Sequence, residues 1–546
     1  MYQCSNCSAN IKFDIASQRM LCDYCGHTMD PYEVEEKNDA LESVIADDEY
    51  EVTVFSCPQC GGELLCYDDT AATFCSYCGG STILTSRISR EKRPQHIIPF
   101  QKTREQCREA YGKMIAKSFF VPNEMKEEEQ IDRFRSIYMP YWVYSFERKG
   151  KVHFKGWKSE EGKKDKPVVY KKRYHIASEV EAEYKGITFD ASSAFSDSLS
   201  NAIAPYEWWG AKPFTPAYLS GFYADTADVS SNLYEEEARS IAREDMCKHM
   251  REDPACQEYE LEDELLEKIL LGTPAKIEMA MLPVWFLSFR WKERVSYAVV
   301  NGQTGEVAAD LPIDKGQFLR WSALFALPVA ILLIALLKVS APTFLVLTLA
   351  LAVISCIISC SQKREIRAKE NFQDDRGRWY PVTPGKVWKV SFHLGEDMTF
   401  IGIALFFFVI VFGISYTFLA ISSIGGDDFA FARYSDLVKD WGWAAMLMLL
   451  PLIYKFIPKG NFRSRNTANL TWGDLLDTLK KTGIGILLSV VVLIWKPTGD
   501  IIYYLVALAT MIMTAVDFMD IIDRHNILVT REIPQFRKRG GEEEGR

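Results

Sequence analysis

Absent from this 546-residue sequence are the short signatures of common catalytic sites. There is no GxxxxGK(S/T) loop to cradle phosphates, no GxGxxG opening a helix after a strand, no HExxH and no GxSxG. The seven histidines are scattered without metal-ligand spacing. Asp225 and Asp228 come nearest to a carboxylate pair, but aspartates beside a turn ordinarily cap backbone N–H groups. No enzyme is expected. A cationic excess is also lacking. The formal net charge is -10, and residues 1–90 hold 5 Lys/Arg against 15 Asp/Glu, so the N-terminal region carries the whole imbalance. Nucleic-acid binding starts from a cationic footprint, so nucleic acid is not an expected partner. The N-terminus has no basic n-region and no apolar h-region, so no signal peptide is expected. The 14 cysteines are then expected in a reducing compartment rather than in a disulfide scaffold.

What is present begins with those cysteines. Cys4-x2-Cys7 is followed after fourteen residues by Cys22-x2-Cys25. Cys57-x2-Cys60 and Cys75-x2-Cys78 repeat the pattern 53 residues on. Two intervening residues let both thiolates of a knuckle reach one metal. Fourteen suit a hairpin that returns the second knuckle to complete a tetrahedron. Gly26, Gly61 and Gly79 follow three of the knuckles, where a tight turn needs positive φ. Ser8 stands at the fourth. Pro58 fixes φ within a knuckle. Two structural zinc ions are therefore expected, on Cys4, Cys7, Cys22 and Cys25 and on Cys57, Cys60, Cys75 and Cys78. Four thiolates close the shell and leave no position for a catalytic water. Rubredoxin-like iron and a redox dithiol are the competing readings. The matched CxxC pairs, without a thioredoxin-like βαβ pattern, weigh against the dithiol. Cys66 reads as a small buried hydrophobe and His27 as an exposed neighbour of the site. Ribbons this small depend on metal for folding energy.

The expected organisation is multidomain. Ribbon 1 spans 1–30, an acidic linker 31–51, ribbon 2 52–90, an α+β cytoplasmic domain 91–315, transmembrane helices 318–518 and a cytoplasmic tail 519–546. In the middle segment, Arg104–Phe119 has helical spacing, with Cys107, Tyr111, Met114 and Ile115 on one side. Tyr174–Lys185 alternates with period two, as a half-buried antiparallel strand does. Lys158–Lys166 is a charged hairpin loop. Glu235–Met250 and Gln257–Leu271 read as helices. Asn301–Gly305 reads as a hairpin turn. Met139–Phe146 and Leu282–Phe289 form a weak Pro-x-Trp repeat that suggests two related β-rich lobes.

From Phe318 onward long apolar runs alternate with charged loops. About 20 apolar residues cross a bilayer. Trp321–Leu337, Val339–Cys360, Met398–Gly426, Trp441–Ile457, Thr482–Trp495 and Ile501–Val516 give an all-α bundle of about six helices. Lys/Arg alternate between the intervening loops, which implies a multi-pass cell-membrane protein with both termini cytoplasmic. Lys455, Lys496 and Asp517 read as charges flanking the spans. Ionisable groups within spans are nearly lacking, which does not favour transport.

The knuckles, the Pro-x-Trp strands, Ile98-Pro99-Phe100, Tyr138–Trp142, Pro213–Ala224 and Val300–Gly305 together resemble the bacterial membrane-anchored proteins labelled TFIIB-type zinc-ribbon-containing, found mainly in Gram-positive bacteria. The resemblance covers roughly residues 1–315. It implies a role beside envelope-stress proteins, with phage-shock-like or SPFH-type partners. The expected function is a membrane-anchored scaffold whose ribbons and β-rich domain recruit a cytoplasmic protein, with the lipid bilayer as the other partner. Two further readings are a transporter or channel with a regulatory zinc domain, and a membrane-tethered nucleic-acid-binding protein.

Overall fold

A computed structural model describes residues 2–39, 49–66, 75–79, 85–161, 169–254, 256–261, 276–291, 293–324, 340–370 and 479–532. The chain divides into two compact units. The first comprises Met1–Leu311, Gln373–Val390 and Val529–Arg546, and the second Pro312–Phe372 and Ser391–Leu528.

In the first unit, β1 (Ile11–Asp14) and β2 (Arg19–Cys22) form an antiparallel hairpin extended by β3 (Thr28–Met29). Helix α1 (Pro31–Asp39) opens the acidic segment. It starts on Pro31, whose fixed φ suits a first helical position, and the Asp30 carboxylate accepts from Tyr32 N at 3.0 Å. Next come β4 (Glu49–Ser56), β5 (Glu63–Cys66), β6 (Thr85–Lys92), β7 (His96–Ile97), β8 (Arg135–Glu161), β9 (Val169–Asp190), β10 (Lys212–Pro213), β11 (Tyr223–Ala224), β12 (Glu260–Leu261), β13 (Lys276–Trp291), β14 (Arg294–Asn301), β15 (Val307–Ala309) and β16 (Arg531–Glu532). These thirteen strands form one sheet whose main path runs β10-β7-β13-β8-β11-β5-β4-β6. The second ribbon is thus not a separate bead. Its β4–β5 hairpin joins the large sheet through β11, which pairs antiparallel with β5 and parallel with β8.

The centre of the sheet is buried on both faces, and its residues alternate between two cores. Met281, Trp285, Leu287, Phe289, Ala298 and Val300 point into one core. Leu282, Val284, Phe286, Val295, Tyr297 and Val299 point into the other. Strands covered on both sides read as continuous apolar runs, and β13 and β14 do so. The Pro-x-Trp segments turn out to be sheet neighbours rather than separate lobes. Met139 pairs with Leu282 and Pro140 with Met281, so the two copies lie antiparallel across β8 and β13.

Helix α2 (Arg104–Ala116) buries Cys107, Tyr111 and Ile115, and a capping box of Thr103 and Gln106 closes its start. The alternation in β9 is as expected: Val180 is buried, while His175, Glu179, Glu181, Glu183 and Lys185 are exposed. A register shift at Tyr144/Phe146 marks a bulge in β8. Beyond it β8 and β9 continue as a two-stranded arm. The helix Glu235–Glu252 covers the arm's inner face, placing Met246, Cys247 and Met250 on Val152, Phe154 and Val180. The helix expected from Gln257 does not begin there. Glu260 and Leu261 pair with Trp157 and Gly156 of β8 instead, a tertiary pairing that overrides local spacing.

The second unit corrects the expected membrane bundle. Among the described residues, one helix, Asp500–Val529, is long and apolar enough to cross a membrane. The apolar stretches Ala341–Cys356 and Lys481–Trp495 are shorter. The regular helix Ile484–Trp495 has 12 residues, about 18 Å of rise against a hydrocarbon core of about 30 Å. Met398–Gly426 and Trp441–Ile457 lie outside the described residues, as does Trp321–Leu337 after residue 324. A multi-pass localisation with both termini cytoplasmic rested on the alternation of six spans and goes with them. The chain is an α/β body on large sheets with, among the described residues, one helix of membrane-crossing length. It is not two small ribbons and an α+β domain set on a six-helix bundle.

Candidate metal centres

Each quartet is assembled by two knuckles. In the first, Cys4 and Cys7 precede β1, and Cys22 and Cys25 close β2. In the second, Cys57 and Cys60 form the turn between β4 and β5, and Cys75 and Cys78 follow β5. The backbone of all four knuckles turns alike. The N–H of the residue after each second cysteine donates to the carbonyl of the first. The distances are 2.8 Å for Ser8 to Cys4, 2.9 Å for Gly26 to Cys22, 2.7 Å for Gly61 to Cys57 and 3.0 Å for Gly79 to Cys75. The φ angles at these positions are 61°, 70°, 74° and 67°. Ser8 therefore adopts the left-handed backbone that its three counterparts reach as glycine.

The sulfurs converge. Sγ–Sγ distances are 3.6 Å for Cys4–Cys25, 3.5 Å for Cys7–Cys22, 3.8 Å for Cys57–Cys78 and 3.7 Å for Cys60–Cys75. Within each quartet all four atoms lie within 4.8 Å of one another. A tetrahedral zinc with Zn–S of about 2.3 Å sets its sulfurs about 3.8 Å apart, so both quartets could hold such an ion. Backbone N–H groups add support: Asn6 N lies 3.4 Å from Cys4 Sγ and Gly62 N 3.4 Å from Cys60 Sγ. Cys66 falls at the end of β5, opposite Tyr223. His27 is exposed, and its carbonyl accepts from Cys22 N at 2.9 Å.

The two centres have different surroundings. Cys57, Cys60, Cys75 and Cys78 are all buried in the core on one face of the sheet, with Tyr77, Phe286 and Tyr297. Tyr297 Oη donates to Tyr77 O at 3.0 Å, tying the last knuckle to β14. Hydrogen bonds with Cys60 and Cys78, together with burial, push the Cys75 thiol far up. A divalent ion here must displace protons. The first centre belongs to the core on the opposite face, but only in part. Cys4 and Cys22 are buried, while Cys25 is exposed. The backbone N–H of His27 lowers the Cys25 thiol to about 6. Tyr24, beside it in the knuckle, is 85 % exposed.

Ribbon 1 is nevertheless firmly seated. Phe13 N donates to Ser220 O at 3.1 Å, Ser220 Oγ to Ile11 O at 2.8 Å and Tyr32 Oη to Pro213 O at 2.9 Å. The Phe13 ring meets Tyr218 edge-on at 5.0 Å. Lys12 lies over Gly221, whose φ of +90° and closeness to the Lys12 Cβ (3.3 Å from a built Cβ) suit glycine. The Pro213–Ala224 segment is thus the seat of the first ribbon. Beneath it Phe100 packs among Tyr138, Phe222 and Trp285. A Cβ on Gly302 would strike Phe100 at 2.6 Å. Phe100, Tyr138, Phe222 and Trp285, from four separate segments of the chain, therefore meet in one core.

Asp225 and Asp228 each take a serine partner. Asp225 is buried and accepts from Ser192 Oγ and from Thr226 N at 2.8 Å. Asp228 accepts from Ser193 N at 2.8 Å and from Ser193 Oγ. A polar pair that sequence reasoning missed lies in the second unit. Lys363 Nζ and Asp517 Oδ1 are 2.7 Å apart, with side chains 3 % and 0 % exposed. Thr482 Oγ1 stands 3.5 Å from the other carboxylate oxygen. In sequence Lys363 read as a loop charge and Asp517 as an interfacial one. Nothing in the local pattern joins residues 154 apart.

No family model matches the chain, and no solved structure matches it. The chain is similar to the uncharacterized protein YdjG of Bacillus subtilis (strain 168), at 26 % identity over 325 residues. The matched region is 59 % of this chain and 92 % of that protein.

Proposed function

We propose that the chain is a zinc-ribbon scaffold that docks a protein partner through its first ribbon and is held at a bilayer by the helix Asp500–Val529. The observation that carries this reading is the unequal exposure of the two centres. With zinc, the buried quartet acts as a core staple, since nothing outside the fold reaches its sulfurs. The other quartet sits on a rigid seat yet presents Tyr24, Cys25 and the adjoining turn outward. An exposed tyrosine on a rigid knuckle has the amphipathic area and low ordering cost of an interface anchor. Closed Cys4 coordination supplies shape rather than chemistry. The resemblance to membrane-anchored zinc-ribbon proteins favours a partner of the phage-shock or SPFH type. The apolar helix supports the anchor, with Ile501, Leu505, Leu508, Ile512 and Val516 exposed along it.

The test is affinity purification of the tagged full chain from native membranes, wild type against Tyr24→Ala, with zinc content measured on both. A partner held by the wild type and lost from a variant that still carries two zinc ions supports the reading. An unchanged partner set, or none with either protein, overturns it. The anchor is tested separately by alkaline extraction, which releases a peripheral protein and leaves a spanning one behind.

A further inference from the structure

The β8–β9 arm has no part in that reading, and its charge opposes that of the rest of the chain. Residues 148–176 hold eleven Lys/Arg and three Asp/Glu, with His153 and His175 besides, in a protein of net charge -10. Pleating sorts these residues by face. The inner face is covered by Glu235–Glu252, and there Lys158 pairs with Glu258. The outer face carries Lys151, His153, Lys155 and Trp157 on β8, opposite Glu179, Ala177, His175 and Arg173 on β9. The Arg173 guanidinium lies 5.1 Å from the centre of the Trp157 ring. Lys171 on the same face reaches Glu260 at 2.6 Å. Between the Lys151–Glu179 pair and the Ser159–Lys171 pair, the outer face of the two strands bears cations, histidines and an aromatic ring, with no acid on either strand.

We infer that the outer face of this arm binds the anionic headgroups of a phospholipid bilayer. Lysine and arginine near an anionic leaflet each contribute about 1 kcal/mol. Tryptophan, apolar in body and polar at one edge, suits the headgroup layer. A bilayer is favoured over a nucleic acid because the same chain carries a helix of membrane-crossing length. A tether raises the local concentration of lipid, so a modest cationic face suffices. A polynucleotide would have to approach from solution against the negative charge of the remainder. The inference rests partly on the anchor reading, but its test does not.

The test uses the full chain held in a nonionic amphipol that masks the apolar helix. It is floated with vesicles of neutral phosphatidylcholine, or of phosphatidylcholine with phosphatidylglycerol, at about 0.1 and 0.5 M salt. Flotation is expected with the anionic vesicles at low salt, with loss at high salt and none with neutral vesicles. The triple variant Lys151→Glu, Lys155→Glu, Arg173→Glu should bind at least about 100-fold more weakly, at about fivefold per cation. Its two zinc ions should remain, which separates loss of binding from loss of fold. Equal flotation of the variant, or flotation with neutral vesicles alike, overturns the inference. So does salt-sensitive binding of a single-stranded oligonucleotide without any flotation. Failure of the alkaline-extraction test with flotation intact would remove the anchor and leave the arm.

Discussion

Replacing Gly26 by alanine and Ser8 by glycine should shift zinc retention at the first centre in opposite directions. Both positions follow a second knuckle cysteine, at φ of 70° and 61°. Each donates its N–H to the first cysteine's carbonyl, at 2.9 and 2.8 Å. A Cβ built on Gly26 meets nothing within 4 Å, so the change is purely torsional. An L-residue in the left-handed region costs about 1–2 kcal/mol. Restricting the unfolded chain returns about 0.4–1 kcal/mol. The net loss for Gly26→Ala is about 1 kcal/mol, and Ser8→Gly gains a similar amount by relieving the strain already present. Because the first ribbon folds around its metal, the difference should appear in metal affinity. Competition with a chromogenic chelator reads it: about fivefold easier zinc removal for Gly26→Ala and a comparable tightening for Ser8→Gly. Shifts of the same sign, or none, would refute the argument that the four knuckles share one backbone geometry.

Three further outcomes are expected. Cys75→Ser should destabilise the whole first unit, since the residue is buried in a sheet core, whereas Cys25→Ser should loosen only the first ribbon; limited proteolysis with zinc counting separates them. Acidification should release zinc, because protons compete for the thiolates, and the second centre, whose Cys75 thiol is pushed up, should empty at higher pH than the first, whose Cys25 thiol is held down, when metal is followed against pH. Lys363→Met should cost about 3–5 kcal/mol by leaving Asp517 buried and unpaired, and adding Asp517→Leu should recover most of it, both read as thermal unfolding in detergent.

Both cysteine quartets were legible in the sequence because a knuckle is a local object. CxxC fixes two ligands through a short turn, and fourteen residues allow only a short return. The alternation of β9 and the capped helix at Arg104 were legible for the same reason, since period and capping are properties of neighbouring residues. The unequal fate of the two ribbons was not. Identical spacing gave one centre with every cysteine buried and another with Cys25 and Tyr24 exposed. The difference comes from β11, which draws the second hairpin into the large sheet, and from the Pro213–Ala224 seat, which covers only one side of the first. Nor did hydropathy settle the second unit. It records how apolar a run is, but not where the helix ends or what a nearby charge meets. Ile484–Trp495 stops at 12 residues, and Lys363 finds Asp517 across 154 positions. Ligand spacing, period and capping are decided within a turn or two of the chain. Burial, exposure and ion pairing are decided by segments hundreds of residues apart, so they follow from tertiary packing alone.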